Sequence, residues 1–331
     1  MTLLLRPDPA DALLLDRFQH GFPLTPRPFG DVAAAVGLGE TDTIARFRGM
    51  QERGLITRIG AVVAPNAIGA STLAAMRVPP ERLDQVAALV SAEPCVTHNY
   101  ERDNAVNLWF VVAAPTADEL EATLSRIAEG TGLPVENLRL ERAFHLDLGF
   151  PLAGPRSAPH RQRLGEPDLD RIADGDADIL AAIEDGLALV PRPYQAVGKE
   201  TGLTEETVIE RLKALRDAHV IRRFGVVVRH RALGIGANAM AVWAVDPASV
   251  DAVGERLAQE PGVNLCYRRH MTAEWPFNLY CMVHGRSRED AFGVIERLDA
   301  IAAEARDRAV LFSRRCFKQT GARFSSVRSA A

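Results

Sequence analysis

In the stretch "THNYERDNAVNLWFVV" (Thr97–Val112), His98, Tyr100 and Arg102 occupy alternate positions. A β-strand points every second side chain to the same face. The row therefore sets imidazole, phenol and guanidinium side by side, where a sandwich core would take Val or Ile. Imidazole changes charge near neutral pH, phenol donates a hydrogen bond, and guanidinium grips a carboxylate through paired N–H donors. Such a row suits proton transfer next to a bound anion. A single histidine in a strand is more often a hydrogen-bonded structural residue, and it is the alternation that argues against that here.

The row has a counterpart, because the chain is written twice. "PRPF" at Pro26 returns as "PRPY" at Pro191, and "RIGAVV" at Arg58 returns as "RFGVVV" at Arg223, both displaced by 165 positions (26 to 191, 58 to 223). "PCVTHNYER" aligns with "PGVNLCYRR", and "NLWF" with "NLYC". Ordered matches at a nearly constant displacement mark an internal duplication. Tyr267 and Arg269 match Tyr100 and Arg102, whereas Leu265 stands where His98 would be, with His270 just beyond. His145, in "RAFHLDLGF", is matched by Lys318 in "RCFKQTGARF". Arg58 and Arg223 hold equivalent places. Arg222–Arg223, Arg268–Arg269 and Arg314–Arg315 fall in or beside predicted strands, unlike the usual solvated arginine cluster. Trp275 lies in an irregular insertion and is expected to line a pocket. Trp109 and Trp243 read as core, and Phe277 as core or pocket lining. His20, His160 and His219 read as surface residues, and His284, after the apolar "NLYCMV", as structural.

These residues need elements to hold them. In "TEETVIERLKALRDAHVI", Val208, Leu212, Leu215 and Val220 recur at helical spacing behind a Thr204 cap and early glutamates. Each copy begins helix–turn–helix–strand and continues in a βαββαβ order, which implies a ferredoxin-like sandwich with helices on one sheet face. The expected class is α+β: two tandem copies of a helix-turn-helix unit plus a ferredoxin-like domain. The divisions are 1–65 and 66–150 for the first copy, a Pro/Gly/charge-rich linker at 151–175, then 176–230 and 231–331. The last strand of each copy is expected to complete that copy's own sheet, and the open faces of the two sheets to pack together as an internal pseudo-dimer.

Composition narrows the function. No run approaches the ~18 apolar residues of a membrane span, and the early Arg6, Asp8 and Asp11 do not fit a signal peptide. Four scattered cysteines without a CxxC pair argue against a zinc site or disulfide framework and for a reducing, cytoplasmic setting. A net charge of −4 gives no general pull on nucleic acid. The second helix of each helix-turn-helix opens on acids, Glu40 and Asp42 or Glu205 and Glu206, where a DNA reader needs cations or amides. DNA binding is not expected, although first-turn acids also simply complement the helix dipole.

Helix-turn-helix followed by a ferredoxin-like domain, joined through "RIGAVVAPNAIG" and "RFGVVVRHRALG", resembles the Lrp/AsnC regulators. The pair "HNYERDNAVNLWF" and "CYRRHMTAEWPFNLYCMVHG" resembles more specifically the signature strands of the siroheme decarboxylases, which occur as two related subunits or as their fusion; this chain resembles the fused form. The resemblance implies removal of carbon dioxide from two acetate side chains of siroheme to give 12,18-didecarboxysiroheme, in haem d1 or alternative haem biosynthesis, with the fused form favouring haem d1. It implies siroheme as partner, bound between the two sandwiches, and no cofactor beyond the iron that siroheme carries. On that reading His98 and His145 are the leading catalytic candidates, either as proton donor or as axial ligand to the substrate's iron. Tyr100 donates a hydrogen bond or proton, and His270 supplies the histidine that Leu265 does not. Arg58, Arg102, Arg222 and Arg223, with Tyr267, Arg268, Arg269 and Arg315, hold carboxylates, and Trp275 lines the macrocycle slot. Two alternatives stay open: a ligand-sensing transcription regulator and a non-catalytic tetrapyrrole carrier. Assembly into a higher homo-oligomer is also open.

Overall fold

The computed structural model describes residues 7–147, 149 and 165–321. Most of the predicted linker, with His160, lies outside them. The first helix-turn-helix comprises α1 (Pro9–Phe18), α2 (Pro28–Val36) and α3 (Glu40–Glu52), followed by strand β1 (Ile56–Val63). Prolines open α2, and Gly37, at φ 73°, ends it in the left-handed turn that glycine adopts without strain.

In the first copy the second domain runs β2 (Ala70–Met76), α4 (Leu83–Ala92), β3 (Val96–Arg102), β4 (Leu108–Ala114), α5 (Ala117–Thr131), β5 (Glu136–Leu138) and β6 (Leu140–Leu146). The second copy follows with α6 (Asp176–Ala182), α7 (Pro193–Thr201), α8 (Glu205–Asp217) and β7 (Ile221–Val228). It continues through β8 (Ala237–Ala244), α9 (Val250–Leu257), β9 (Val263–Arg269), β10 (Leu279–Gly285), α10 (Arg288–Ile301) and β11 (Asp307–Gln319).

β1 and β7 pair antiparallel, with Gly60 opposite Gly225 on the pseudo-twofold axis. Around this ribbon Phe18, Phe22, Phe29 and Phe47 of the first unit pack with Tyr194, Leu212, Leu215 and Phe224 of the second in one apolar cluster. The Tyr194 hydroxyl donates to the Pro23 carbonyl across the seam at 2.8 Å. The acids that open α3 and α8 are committed within the fold: Glu40 pairs with Arg27, and Glu205 with Arg192.

The sandwiches differ from the expected pair in how their last strands run. The order is β5-β2-β4-β3-β11-β8-β10-β9-β6, a single nine-stranded sheet. β11 pairs with its own copy's β8 through Asp307–Phe312, then with β3 of the other copy through Ser313–Gln319. In the first copy the same exchange is split at Arg139: β5 pairs with β2, and β6 with β9 of the second copy. Since β5 and β6 are consecutive in the chain, the ends of the sheet are joined covalently. Strand exchange thus leaves neither copy's β3 or β9 as a bare edge that could template aggregation. The open faces do meet. Trp109, Trp275, Phe277, Tyr280, Met240 and Leu311 fill the space they enclose, each side chain of this size contributing roughly 1.5–3 kcal/mol on burial. Alternate residues point outward beneath α4 and α5 (Leu108, Phe110, Val112) or α9 and α10 (Leu279, Cys281, Val283).

Candidate functional site

A register shift in β3 between Val96 and His98 decides where the His98–Tyr100–Arg102 row points. Val96 packs beneath α4, and the Asn99 amide donates to the Ala87 carbonyl and to Ser91 Oγ of α4. The extra residue at the bulge therefore turns His98, Tyr100 and Arg102 to the opposite face. A matching shift beside Val263 does the same for Leu265, Tyr267 and Arg269.

His98 opens onto a cavity of about 890 Å³, at the upper end of the usual small-molecule range. Its walls come from both copies: Arg58 of β1, Asn66 and Ser71 before and on β2, and Ala113 of β4. Opposite them lie Arg229, His230 and Arg231 after β7, and Cys316 and Gln319 of β11. Glu184 and Asp185 complete the wall. The Thr97 hydroxyl lies 3.0 Å from His98 Nδ1, and the Tyr100 ring lies stacked on that of His98 with centroids 6.3 Å apart. The Tyr100 ring has the guanidinium carbons of Arg102 and Arg231 at 5.9 and 6.0 Å, within cation–π range.

Burial, and then the Arg58 charge, lower His98 to about 4; burial and Arg231 do the same for His230. Both shifts favour the neutral ring near neutral pH. Burial raises the Tyr100 phenol well above its ordinary range, so it stays a hydrogen-bond donor. Burial lowers Arg58, partly offset by the charge of Asp185. Among the described residues Arg58, Arg229 and Arg231 make no ion pair, and Arg58 Nε is buried without a hydrogen-bond partner. Cations kept this way await an anion.

The pseudo-equivalent position in the other half is filled. Arg223, the counterpart of Arg58, is 6% exposed and donates to the Gln19 carbonyl at 3.1 Å. That carbonyl lies so close to Gly225 that a Cβ would collide with it, so only glycine fits there. His20 pairs with Asp147 at 2.9 Å. Burial pushes Asp147 up, but the His20 hydrogen bond and charge, the Gly149 amide and Arg223 together bring it down to about 2. Leu265 replaces His98, Ala64-Pro65-Asn66 replaces Arg229-His230-Arg231, and His284 stands where Ala113 clears space on the open side.

The other sequence-derived candidates fall in three places. Arg102, expected to clamp a carboxylate, is buried and donates to the Leu311 carbonyl at 3.0 Å and to Asn238 Oδ1 at 3.4 Å. Its twin Arg269 donates to the Leu138 carbonyl at 2.9 Å. Leu311 and Leu138 lie where the exchanged strands change partners, so both arginines fasten that crossing. Tyr267 is 8% exposed beneath Arg269.

Arg268 is bound to Glu141 and Asp251, and Arg315 to Glu101 and Asp84. Arg222 donates to the Gly165 carbonyl. Strand edges here bring acids close enough to neutralise Arg268 and Arg315. Trp275, expected to line the pocket, is 4% exposed and packs edge-on against Trp109 inside the closed sheet; the insertion folds inward because the closed sheet needs filling. Phe277 packs there too, 4.8 Å from Trp275.

His145 was expected to reach the surface of His98. Strand exchange instead sets it on β6 opposite Cys266 of the second copy, and it does not line the cavity. His270 is exposed, 3.5 Å from Glu141, beside a separate 110 Å³ pocket. Arg229, His230, Arg231 and Cys316 were missed. The signal for the first three was the aligned pair "RHRALG" and "PNAIG", in which the copies differ most in charge where the backbone is most alike.

The chain matches two family models: the siroheme decarboxylase NirDL-like HTH domain over residues 11–56 and 176–222, and the AsnC-like ligand binding domain over 67–145 and 232–318. The siroheme decarboxylase NirDL subunit of Paracoccus denitrificans (strain Pd 1222) is 47% identical over 97% of this chain and 98% of its own. A crystal structure of the siroheme decarboxylase NirDL superposes with a TM-score of 0.69 at 28% identity, covering 97% of this chain and 99% of that one. A second, in complex with an iron-uroporphyrin III analogue, gives a TM-score of 0.67 at 28% identity, covering 97% and 98%. Sequence, domain order and fold thus agree over nearly the whole length, and the chain belongs to the siroheme decarboxylase family.

Proposed function

We propose that the chain is a carboxy-lyase that converts siroheme to 12,18-didecarboxysiroheme within the open cavity. The observation that carries this reading is the cavity wall itself: the imidazoles of His98 and His230 beside Arg58, Arg229 and Arg231, which make no ion pair among the described residues. The reaction is R–CH2–COO⁻ + H⁺ → R–CH3 + CO2, once for each acetate. The carbon–carbon bond breaks with its electron pair on the methylene carbon, delocalised into the macrocycle, and a proton must then reach that carbon.

Arg58, Arg229 and Arg231 bind carboxylates, each charge-assisted bond contributing roughly 1.5–3 kcal/mol. A carboxylate brought beside His98 or His230 raises the ring's proton affinity, so the substrate itself recruits the proton that the reaction consumes. The apolar wall of Val62, Ile68 and Ala113 keeps the reacting carboxylate poorly hydrated, which favours loss of its charge as CO2. The iron arrives with the substrate, and no other cofactor enters the scheme. His98 and His230, which line the cavity, would be the residues to ligate that iron; His145 does not line it. With Glu40 and Glu205 tied to arginines at the entry of α3 and α8, the helix-turn-helix units serve as a dimerisation core rather than as DNA readers.

Anaerobic incubation with siroheme, followed by mass spectrometry, tests the reading. Loss of two carbon dioxide units supports it. Tight binding with unchanged mass makes the protein a carrier, and salt-resistant, sequence-selective duplex binding makes it a regulator.

A further inference from the structure

Behind His230 lies a polar chain that the scheme above does not use. Arg102 Nη1 donates to Asn238 Oδ1 at 3.4 Å, and the Ser313 hydroxyl donates to the same oxygen at 3.1 Å. A guanidinium can only donate, so the atom it faces is the amide oxygen. Asn238 Nδ2 then donates to His284 Nε2 at 2.8 Å, and His284 Nδ1–H donates to Asn264 Oδ1 at 2.8 Å. Asn264 Nδ2 points on to the Asp147 carbonyl at 3.4 Å. Every donor in the series points the same way. Both nitrogens of His284 are thereby assigned, one tautomer is fixed, and neither has room for a second proton without losing a bond. Desolvation, with His230, Arg102 and Arg231 nearby, also holds the ring well below its ordinary range. His284 meets His230 edge to face, with centroids 4.9 Å apart and planes at 73°.

We propose that His284 is a positioning residue for His230: a neutral ring of fixed tautomer, clamped between Asn238 and Asn264, that sets the angle at which His230 faces the cavity. This deepens the role given to His230 above and rests on it. The same chain starts at the arginine beneath Tyr100 and ends at the Asp147 that closes the twin position. The filled half therefore serves as the rigid backing of the working one.

The test uses the full chain and three variants: His284→Gln, His230→Gln and the double variant. Glutamine can satisfy Asn238 and Asn264 without presenting a ring. His284→Gln should melt near the parent and keep KM within about twofold, while kcat falls about 10- to 100-fold, as for a reacting group held slightly out of place. The double variant should be no slower than His230→Gln alone, because both changes act through one ring.

A His284→Gln variant with parental kcat overturns the inference, as does a double variant whose loss equals the product of the two single losses. A slow His230→Gln with an unaffected His284→Gln removes only this inference; a parental His230→Gln removes the role of His230 as well. If His284→Gln does not fold, Asn264→Ala, which frees only Nδ1 of His284, takes its place with the same outcomes.

Discussion

Binding of a tetrapyrrole polycarboxylate should draw protons onto the enzyme. His98 and His230 lie at about 4, against an ordinary 6.5, because burial and the adjoining Arg58 and Arg231 disfavour their charged forms. A carboxylate placed against either ring attracts its charged form and so offsets the shift that burial and the arginine charge impose. Restoring one ring to its ordinary value is worth about 3 kcal/mol, at about 1.4 kcal/mol per unit. Proton uptake is then greatest between the two values. In the window from about pH 5 to 6.5, Kd should rise with increasing pH by up to about tenfold per unit for each ring that gains a proton. The assay is a Soret-band titration with iron-uroporphyrin III across that window, for the parent and for His98→Gln. The ligand's own carboxylates titrate in both experiments, so the difference between the two slopes isolates the ring. The parent should be steeper by up to about one tenfold step per pH unit. Identical slopes would refute the reasoning that the substrate recruits the proton.

Three further outcomes follow from the asymmetry and the buried groups. Arg58→Leu should weaken iron-uroporphyrin binding about 10- to 100-fold, the loss of one charge-assisted bond, whereas Arg223→Leu, in the filled half, should leave the same titration within about twofold. Arg102→Leu should cost about 1–3 kcal/mol of unfolding free energy in denaturant titration, by stranding the Leu311 carbonyl and Asn238, with ligand affinity nearly unchanged. The depressed values of His98, His230 and His284 stabilise the folded chain above the unfolded value near 6.5, and that contribution is lost as pH falls toward the folded values. The melting temperature of the ligand-free protein should therefore drop between about pH 6.5 and 4, less steeply in His98→Gln.

Periodicity and self-comparison expose the elements of this fold well, because helix and strand patterns are local and the duplication doubles the signal. They do not reveal that β11 and the β5–β6 segment change partners midway, since a strand's choice of neighbour leaves no mark on its own alternation. That one unreadable feature accounts for most of the site revisions. It moves His145 to the second copy's edge, turns Arg102 and Arg269 into fasteners of the crossing, and encloses Trp275. His98 was legible because its neighbours in the strand are chemically conspicuous. His230 was not, because it sits in a loop between duplicated elements, where only the contrast with Pro65 in the aligned copy gives it away.

A crystal structure of this chain with iron-uroporphyrin III bound would decide where the macrocycle sits. One macrocycle per chain is expected in the 890 Å³ cavity, its carboxylates against Arg58, Arg229 and Arg231 and its rim against His98 and His230. A macrocycle seated instead at Leu265 and Tyr267, with the His20–Asp147 pair displaced, or one in each half, would contradict it.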